Sequence, residues 1–80
     1  MPGLRRLYAP QRVAVRTDPS GAPLTVEGAT VENVREEWLV EDRWWTPRPL
    51  SRHYFELVLA DGRDATVFRD ARGRWRWQRA

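Results

Sequence analysis

The sequence predicts an all-β domain, a small barrel of about six short antiparallel strands, similar in size to an SH3 or OB domain. Two observations predict this class. Apolar and polar residues alternate along most of the chain, and short turn-forming sequences separate these runs at close spacing. Eighty residues are enough for one domain. We assign that domain to residues 1–80 and expect residues 1–10 to form a loosely ordered N-terminal arm.

The clearest hairpin is predicted to join residues 51–60 (SRHYFELVLA) to residues 63–69 (RDATVFR). Both runs alternate between apolar and polar residues, as strands with one buried face do. Asp61-Gly62 lies between them, and this dipeptide is typical of a two-residue type I′ turn. The turn fixes a register in which Phe55 lies opposite Phe68.

The alternating sequence RWRW near the C terminus has two interpretations, a basic aromatic arm for nucleic acid or the last strand of the sheet. A four-residue loop over residues 70–73 places Phe68 opposite Trp75, and the two hairpins then agree, which favours the strand. One face of this meander is predicted to be the core, and it carries Phe55, Leu57, Leu59, Thr66, Phe68, Trp75 and Trp77. The outer face then carries Arg52, Tyr54, Glu56, Val58, Val67, Arg69, Arg74 and Arg76.

The N-terminal half predicts three further strands. Residues 11–17 and 22–27 flank Asp-Pro-Ser-Gly at residues 18–21, which suits a type I turn. Gly28 allows a second tight turn. Residues 29–40 are predicted to form one long bent or bulged strand, although Val31, Val34 and Trp38 also fit the stripe of a helix.

Charge is distributed unevenly along the chain. All 14 basic residues are arginine, and the net charge is +3. Residues 27–42 carry six acidic residues against one arginine, whereas residues 1–16 and residues 69–79 each carry a net charge of +4. This pattern indicates a molecule with an acidic side and a basic side.

Composition argues against several classes of function. There is no cysteine, and His53 is the one histidine, so a zinc site would have to rest on carboxylates. A lone Ser51/His53 pair lacks an identified orienting acid and oxyanion donor, so we predict a protein that is not an enzyme and needs no cofactor. No apolar run is long enough to span a membrane, and the N-terminal residues lack a secretory apolar segment, which favours a cytoplasmic location.

The candidate binding residues are arginines and aromatic residues on the predicted surface. Tyr54, Arg69, Arg74 and Arg76 are the candidates for weak binding of single-stranded nucleic acid, by base stacking and phosphate contact. The alternative is a solvated face in which Arg76 pairs with Glu56. Trp44 and Trp45 cannot both point inward from an extended backbone, which makes them candidates for a protein interface, including a homo-oligomeric one.

The sequence also resembles a known family, and this resemblance suggests a biological context for the candidate residues. The chain combines Trp38, the Trp44-Trp45 pair, the strand and turn SRHYFELVLADGR, VFRD and GRW. This pattern, over residues 31–78, resembles an uncharacterised family of short bacterial all-β domains. It is also similar to the C-terminal end of the inactive Y-family-polymerase-like protein of the bacterial mutagenesis complex, although the polymerase-like region is missing here. The resemblance implies no catalytic residues and a place in a DNA-repair or translesion polymerase assembly.

The sequence therefore predicts a non-enzymatic binding module whose partner is a protein or, weakly, single-stranded nucleic acid. The alternative is a structural interaction or homodimerisation domain that uses an exposed tryptophan patch and makes no contact with nucleic acid. Salt dependence distinguishes the two, because binding to phosphates weakens steeply as salt rises.

Overall fold

A computed structural model of the chain describes residues 11–42 and 50–78, so the predicted arm at residues 1–10 lies outside the described residues. In this part of the chain six antiparallel strands form one sheet and there is no helix. The strands are β1 (Val15–Thr17), β2 (Pro23–Val26), β3 (Ala29–Asp42), β4 (Leu50–Leu59), β5 (Asp64–Asp70) and β6 (Trp75–Trp77). The predicted fold class is confirmed.

The sheet is a meander in which each strand pairs with its neighbour in sequence, and it curls into a half-barrel. Residues 11–13, which precede β1, return to the far edge and pair with β6. Arg12 forms an isolated bridge with Arg76, and the N–H of Trp77 donates to the carbonyl of Gln11 at 2.8 Å. The two ends of the described chain therefore meet.

The long strand predicted over residues 29–40 is confirmed, and it extends over Ala29–Asp42. It pairs with β2 at its start, where Thr25 lies opposite Thr30, and with β4 over the rest of its length. Two bulges, between Val31 and Asn33 and between Val34 and Glu36, interrupt the pairing with β4. Bulges bend and twist a strand, which lets one strand belong to both parts of the curled sheet.

The β4–β5 hairpin has a three-residue loop, so the predicted two-residue turn is wrong. The N–H of Gly62 donates to the carbonyl of Leu59, and the N–H of Leu59 donates to the carbonyl of Arg63, both at 2.9 Å. Gly62 has a φ of 88°. A type I turn followed by a left-handed glycine is the usual three-residue hairpin loop.

The extra loop residue shifts the register by one. Phe55 lies opposite Val67 rather than Phe68, and Phe68 lies opposite Tyr54. Because side chains alternate between faces, a shift of one residue moves every side chain of a strand to the other face. Val67 and Arg69 therefore belong to the inner face.

The β5–β6 loop is one residue shorter than the predicted four-residue loop. The N–H of Asp70 donates to the carbonyl of Arg74, and Gly73, with a φ of 81°, closes a three-residue loop. Val67 consequently lies opposite Trp77, and Arg69 opposite Trp75. The two errors cancel between β4 and β6, so the prediction that Trp75 and Trp77 share the core face with Phe55 is confirmed, while the faces of β5 are reversed.

The core fills the inner face of the half-barrel. Its buried residues are Val13, Val26, Phe55, Leu57, Leu59, Ala65 and Val67, and the partly buried Trp75 and Trp77 pack against them. None of the described residues forms a helix that is long and apolar enough to cross a membrane.

Candidate functional site

A row of four side chains crosses the outer face of the sheet. Trp38 on β3 lies opposite Tyr54 on β4, Tyr54 opposite Phe68 on β5, and Phe68 opposite Arg76 on β6. We call these four residues the outer aromatic row. The Trp38 and Tyr54 rings stack with 5.2 Å between centroids, and the Tyr54 and Phe68 rings are 5.0 Å apart. Contact between neighbouring rings fixes the geometry of the row.

The exposure of the row differs from one ring to the next. Tyr54 is 8% exposed and Phe68 is 1% exposed, although both lie on the outer face. Trp38 retains 37% of its surface exposed to solvent. The Trp38 ring is therefore accessible for stacking of a base. Tyr54 is too buried to stack on a ligand, and its ring packs against the Trp38 ring.

Arg52 covers the buried middle of the row, formed by Tyr54 and Phe68. Its guanidinium carbon lies 4.6 Å from the centroid of the Phe68 ring, and its Nη1 donates to the Tyr54 hydroxyl at 3.3 Å. Within the described residues Arg52 forms no ion pair with a carboxylate. The other face of this flat cation can stack on a base or meet a phosphate.

A surface pocket of about 360 Å³ opens beside Arg52. Its lining combines three arginines, one carboxylate and the Phe68 ring, and consists of Ser51, Arg52, Phe68, Asp70, Ala71, Arg72 and Arg76. We call it the arginine pocket. With three cations and one anion in its wall, the pocket favours an anionic group.

Asp70 organises the floor of the arginine pocket. Its Oδ1 accepts hydrogen bonds from the backbone N–H groups of Arg72 at 2.9 Å and Arg74 at 3.0 Å, and its Oδ2 lies 3.6 Å from Nε of Arg76. Burial alone would raise the pKa of this carboxyl, but the hydrogen bonds from Arg74 and Arg72 and the Arg76 guanidinium hold it below its ordinary value. Asp70 is thus an anion that fixes the loop and positions Arg76.

The structure brings together only part of the predicted nucleic-acid site. Tyr54 and Arg76 share the outer aromatic row, and Arg74 lies exposed at the end of the β5–β6 loop, beside Asp70. Arg69 is on the opposite face, so its predicted grouping with Tyr54 is wrong. The reason is the one-residue register shift across both hairpins.

Arg69 lies instead on the inner face of the sheet, near Gly21 of the β1–β2 turn. Its guanidinium carbon lies 5.9 Å from the centroid of the Trp75 ring. His53, the residue opposite Arg69, stacks on Phe55 at 4.3 Å and lies 2.7 Å from a carboxylate oxygen of Glu37. His53 is the one histidine of the chain, and no group of three or more His, Asp or Glu side chains in the described ranges is placed to hold a metal ion.

Trp44 and Trp45, the predicted protein-interface residues, lie outside the described residues. Sequence reasoning missed Trp38, Arg52, Phe68 and Arg72 as members of one surface. The sequence of the loops contained the information, because Gly62 and Gly73 each allow a three-residue loop. The register that these loops set places Phe68 on the outer face beside Tyr54 and Arg76. Comparison of the chain with protein-family models, with curated proteins and with solved structures gave no match.

Proposed function

We propose that the protein is a non-enzymatic binding module that holds single-stranded nucleic acid on its outer face. One observation carries the proposal, namely the arginine pocket beside the outer aromatic row. Arg52, Arg72 and Arg76 line the pocket around the Phe68 ring, and Trp38 stands at the other end of the row. A nucleotide offers a phosphate for the arginines and a flat base for the indole.

The chemistry of the surface favours a single strand over a duplex. An exposed indole and an exposed guanidinium plane both bind the face of a base, and base faces are hidden inside a stacked duplex. The row runs across the strands from Trp38 to Arg76, with base stacking at one end and phosphate contact at the other. Nothing in this arrangement reads base edges, so we expect no sequence preference.

Binding is expected to be weak and sensitive to salt. Arg52 and Arg72 form no ion pairs with carboxylates in the described part of the chain, whereas Asp70 shares the charge of Arg76. Two or three phosphate contacts give a slope of log K against log salt of about −0.7 per contact. A single domain of this kind suits an accessory role, and the resemblance of its sequence points to a DNA-repair or translesion polymerase assembly as the setting.

The test is fluorescence anisotropy of a labelled oligothymidylate of about ten nucleotides, titrated with the protein across a salt series. In the variant Arg52→Gln/Arg72→Gln the slope should become less negative by about 1.4, because two phosphate contacts are lost. Trp38→Ala should weaken binding by roughly tenfold while leaving the slope unchanged, because stacking on an indole does not depend on counterions.

A matched variant, Arg16→Gln/Arg63→Gln, removes the same charge from two exposed arginines away from the pocket. It should retain the parent affinity to within about twofold. An equal loss in this control would mean that the net charge, and not the pocket, attracts the oligonucleotide. No binding by the parent at low salt, or equal binding of a duplex, would overturn the proposal and favour a protein partner.

A further inference from the structure

The long strand β3 has an edge that no other described strand covers. β2 pairs with β3 only at Ala29 and Thr30, and β4 occupies the opposite edge. Beyond the second bulge the pairing with β4 is regular from Glu36 to Asp42. We call residues 36–42 the open edge. A regular strand with one edge unpaired presents a row of backbone N–H and C=O groups to a further strand.

The two faces of the open edge differ in chemistry. Trp38 and Val40 lie on the outer face, opposite Tyr54 and Arg52 of β4. Glu37, Leu39 and Glu41 lie on the inner face, and Leu39 is 57% exposed. Both glutamates are exposed. A strand added here meets apolar side chains on one face and carboxylates around a leucine on the other.

Arg35, the arginine of β3 itself, does not neutralise these carboxylates. Arg35 lies in the bulge and is directed across the sheet, with Nε 3.8 Å from Glu56 on β4 and Nη1 3.8 Å from Asp64 on β5. Glu37 contacts His53, and Glu41 has no ion pair with any residue in the described ranges. The open edge is therefore locally acidic in a protein whose net charge is +3.

A second copy of the chain is a poor occupant of this edge. Two open edges paired with each other would oppose glutamates to glutamates, and like charges directly across a pair of strands are destabilising. A basic strand has no such conflict. Addition of an extended peptide to an exposed edge is a common mode of recognition, in which backbone hydrogen bonds give affinity and alternate side chains give specificity.

We infer that the open edge of β3 receives an extended basic peptide from a protein partner, by addition of a strand to the sheet. The peptide alternates arginine or lysine, opposite Glu37 and Glu41, with apolar residues, opposite Trp38 and Val40. The open edge shares Trp38 with the outer aromatic row but contains no residue of the arginine pocket, so the inference does not depend on nucleic-acid binding.

The test uses the full chain, isotopically labelled for NMR, and a capped synthetic peptide of alternating arginine and valine matched in length to the open edge. We expect chemical-shift changes over residues 36–42 and slowed amide exchange at Glu37, Leu39 and Glu41, whose backbone N–H groups point away from β4. Glu41→Gln should weaken binding roughly fivefold, in the range of one partly exposed ion pair, while Glu36→Gln, which removes an acid from the other face, should have little effect. A peptide that carries N-methyl groups on every arginine and valine cannot donate the backbone hydrogen bonds and should not bind.

Three outcomes would overturn the inference. Amides of Glu37, Leu39 and Glu41 that are already as protected in the free protein as those of β4 would show that the chain itself covers the edge. Equal binding of a peptide with glutamate in place of arginine would remove the charge argument, and a greater loss with Glu36→Gln would contradict the assignment of the faces. Arg52→Gln/Arg72→Gln should leave peptide binding intact, which separates this result from the nucleic-acid proposal.

Discussion

The guanidinium carbon of Arg52 lies over the Phe68 ring, 4.6 Å from the ring centroid. One charged group therefore shields a buried ring and also forms part of the wall of the arginine pocket. Packing and binding can be separated here, because an apolar side chain of similar length can shield the ring without carrying charge.

Arg52→Met is expected to separate the two roles. Stability should fall by no more than about 1 kcal/mol, the scale of a partly exposed cation–π contact. Affinity for the oligonucleotide should fall with the loss of one phosphate contact, as measured by anisotropy alongside urea unfolding. A variant that unfolds far more easily than the parent would show that Arg52 is mainly structural.

Trp77→Ala should destabilise the protein by about 3 kcal/mol, because it removes a large ring that packs on the core opposite Val67. Trp38→Ala, on the outer face, is the comparison and should lower the free energy of unfolding by only about 1 kcal/mol through loss of its stack on Tyr54. Chemical denaturation of the two variants measures both values. Equal losses would contradict the assignment of Trp77 to the core.

Gly73→Ala should destabilise the β5–β6 hairpin by about 1–2 kcal/mol, because φ at this position is 81°. A Cβ atom here would meet nothing within 4 Å, so the cost comes from the backbone alone. Gly73→Asn should lose less, since asparagine tolerates the left-handed conformation better than alanine does. Thermal unfolding of both variants is the measurement, and an equal loss would argue against backbone strain.

Asp70 should make stability depend on pH in the acid range. Its pKa in the folded protein lies below the ordinary value of 3.8, so the folded state binds fewer protons than the unfolded state as pH falls through that value. The stabilisation by Asp70 is therefore complete above the unfolded pKa and is lost as the pH drops through the folded pKa.

Asp70→Asn should lower the melting temperature near neutral pH and flatten its fall in acid, because asparagine carries no proton to gain. Asp64→Asn, at the other end of β5, controls for the loss of an exposed carboxylate from the same strand. Melting curves between neutral pH and about pH 2 test this. A parallel fall for Asp70→Asn and the parent would show that other carboxyls dominate.

His53→Ala should leave oligonucleotide binding unchanged, because His53 lies on the inner face, with Glu37 and Phe55, away from the arginine pocket. Some stability should be lost with its stack on Phe55. The same titration measures the affinity. A folded variant that no longer binds would show that the inner face around His53 takes part in binding, and it would overturn the assignment of the site to the outer face.

Strand order and strand number were predictable because turn-forming residues separate runs of alternating polarity. The type I turn at residues 18–21 is confirmed by the hydrogen bond from the N–H of Gly21 to the carbonyl of Asp18 at 2.9 Å. Gly28 likewise follows Glu27 in a tight turn that brings Ala29 opposite Val26. The positions of these turns depend only on the conformational preferences of the few residues that form them.

Register was not predictable to one residue. Asp-Gly is compatible with both two-residue and three-residue loops, and the choice depends on which faces of the strands can be buried together. In the three-residue register Val67 and Ala65 enter the core, and Phe68 moves to the outer face, where Arg52 and Tyr54 cover it. β5 therefore has buried apolar side chains on both of its faces. A prediction that assumes one buried face for each strand does not detect this.

The same register decides the candidate site. Arg76 and Tyr54 were placed on the outer face correctly because the two loop errors cancel between β4 and β6. Arg69, on the strand between them, was assigned to the wrong face. The arginine pocket requires Phe68 and Asp70 to lie on the outer face of β5. A prediction that exchanged the two faces of β5 could not identify this pocket.

The meander has a kinetic consequence. Every strand pairs with the strand that precedes or follows it in sequence, so each hairpin closes a short loop at small entropic cost. Chains with mostly local pairings fold faster than other all-β domains of similar length. The pairing of Arg12 with Arg76 joins distant parts of the chain, and it can form only after the sheet has curled. We therefore expect the pairing of residues 11–13 with β6 to form last in folding and to open first in unfolding.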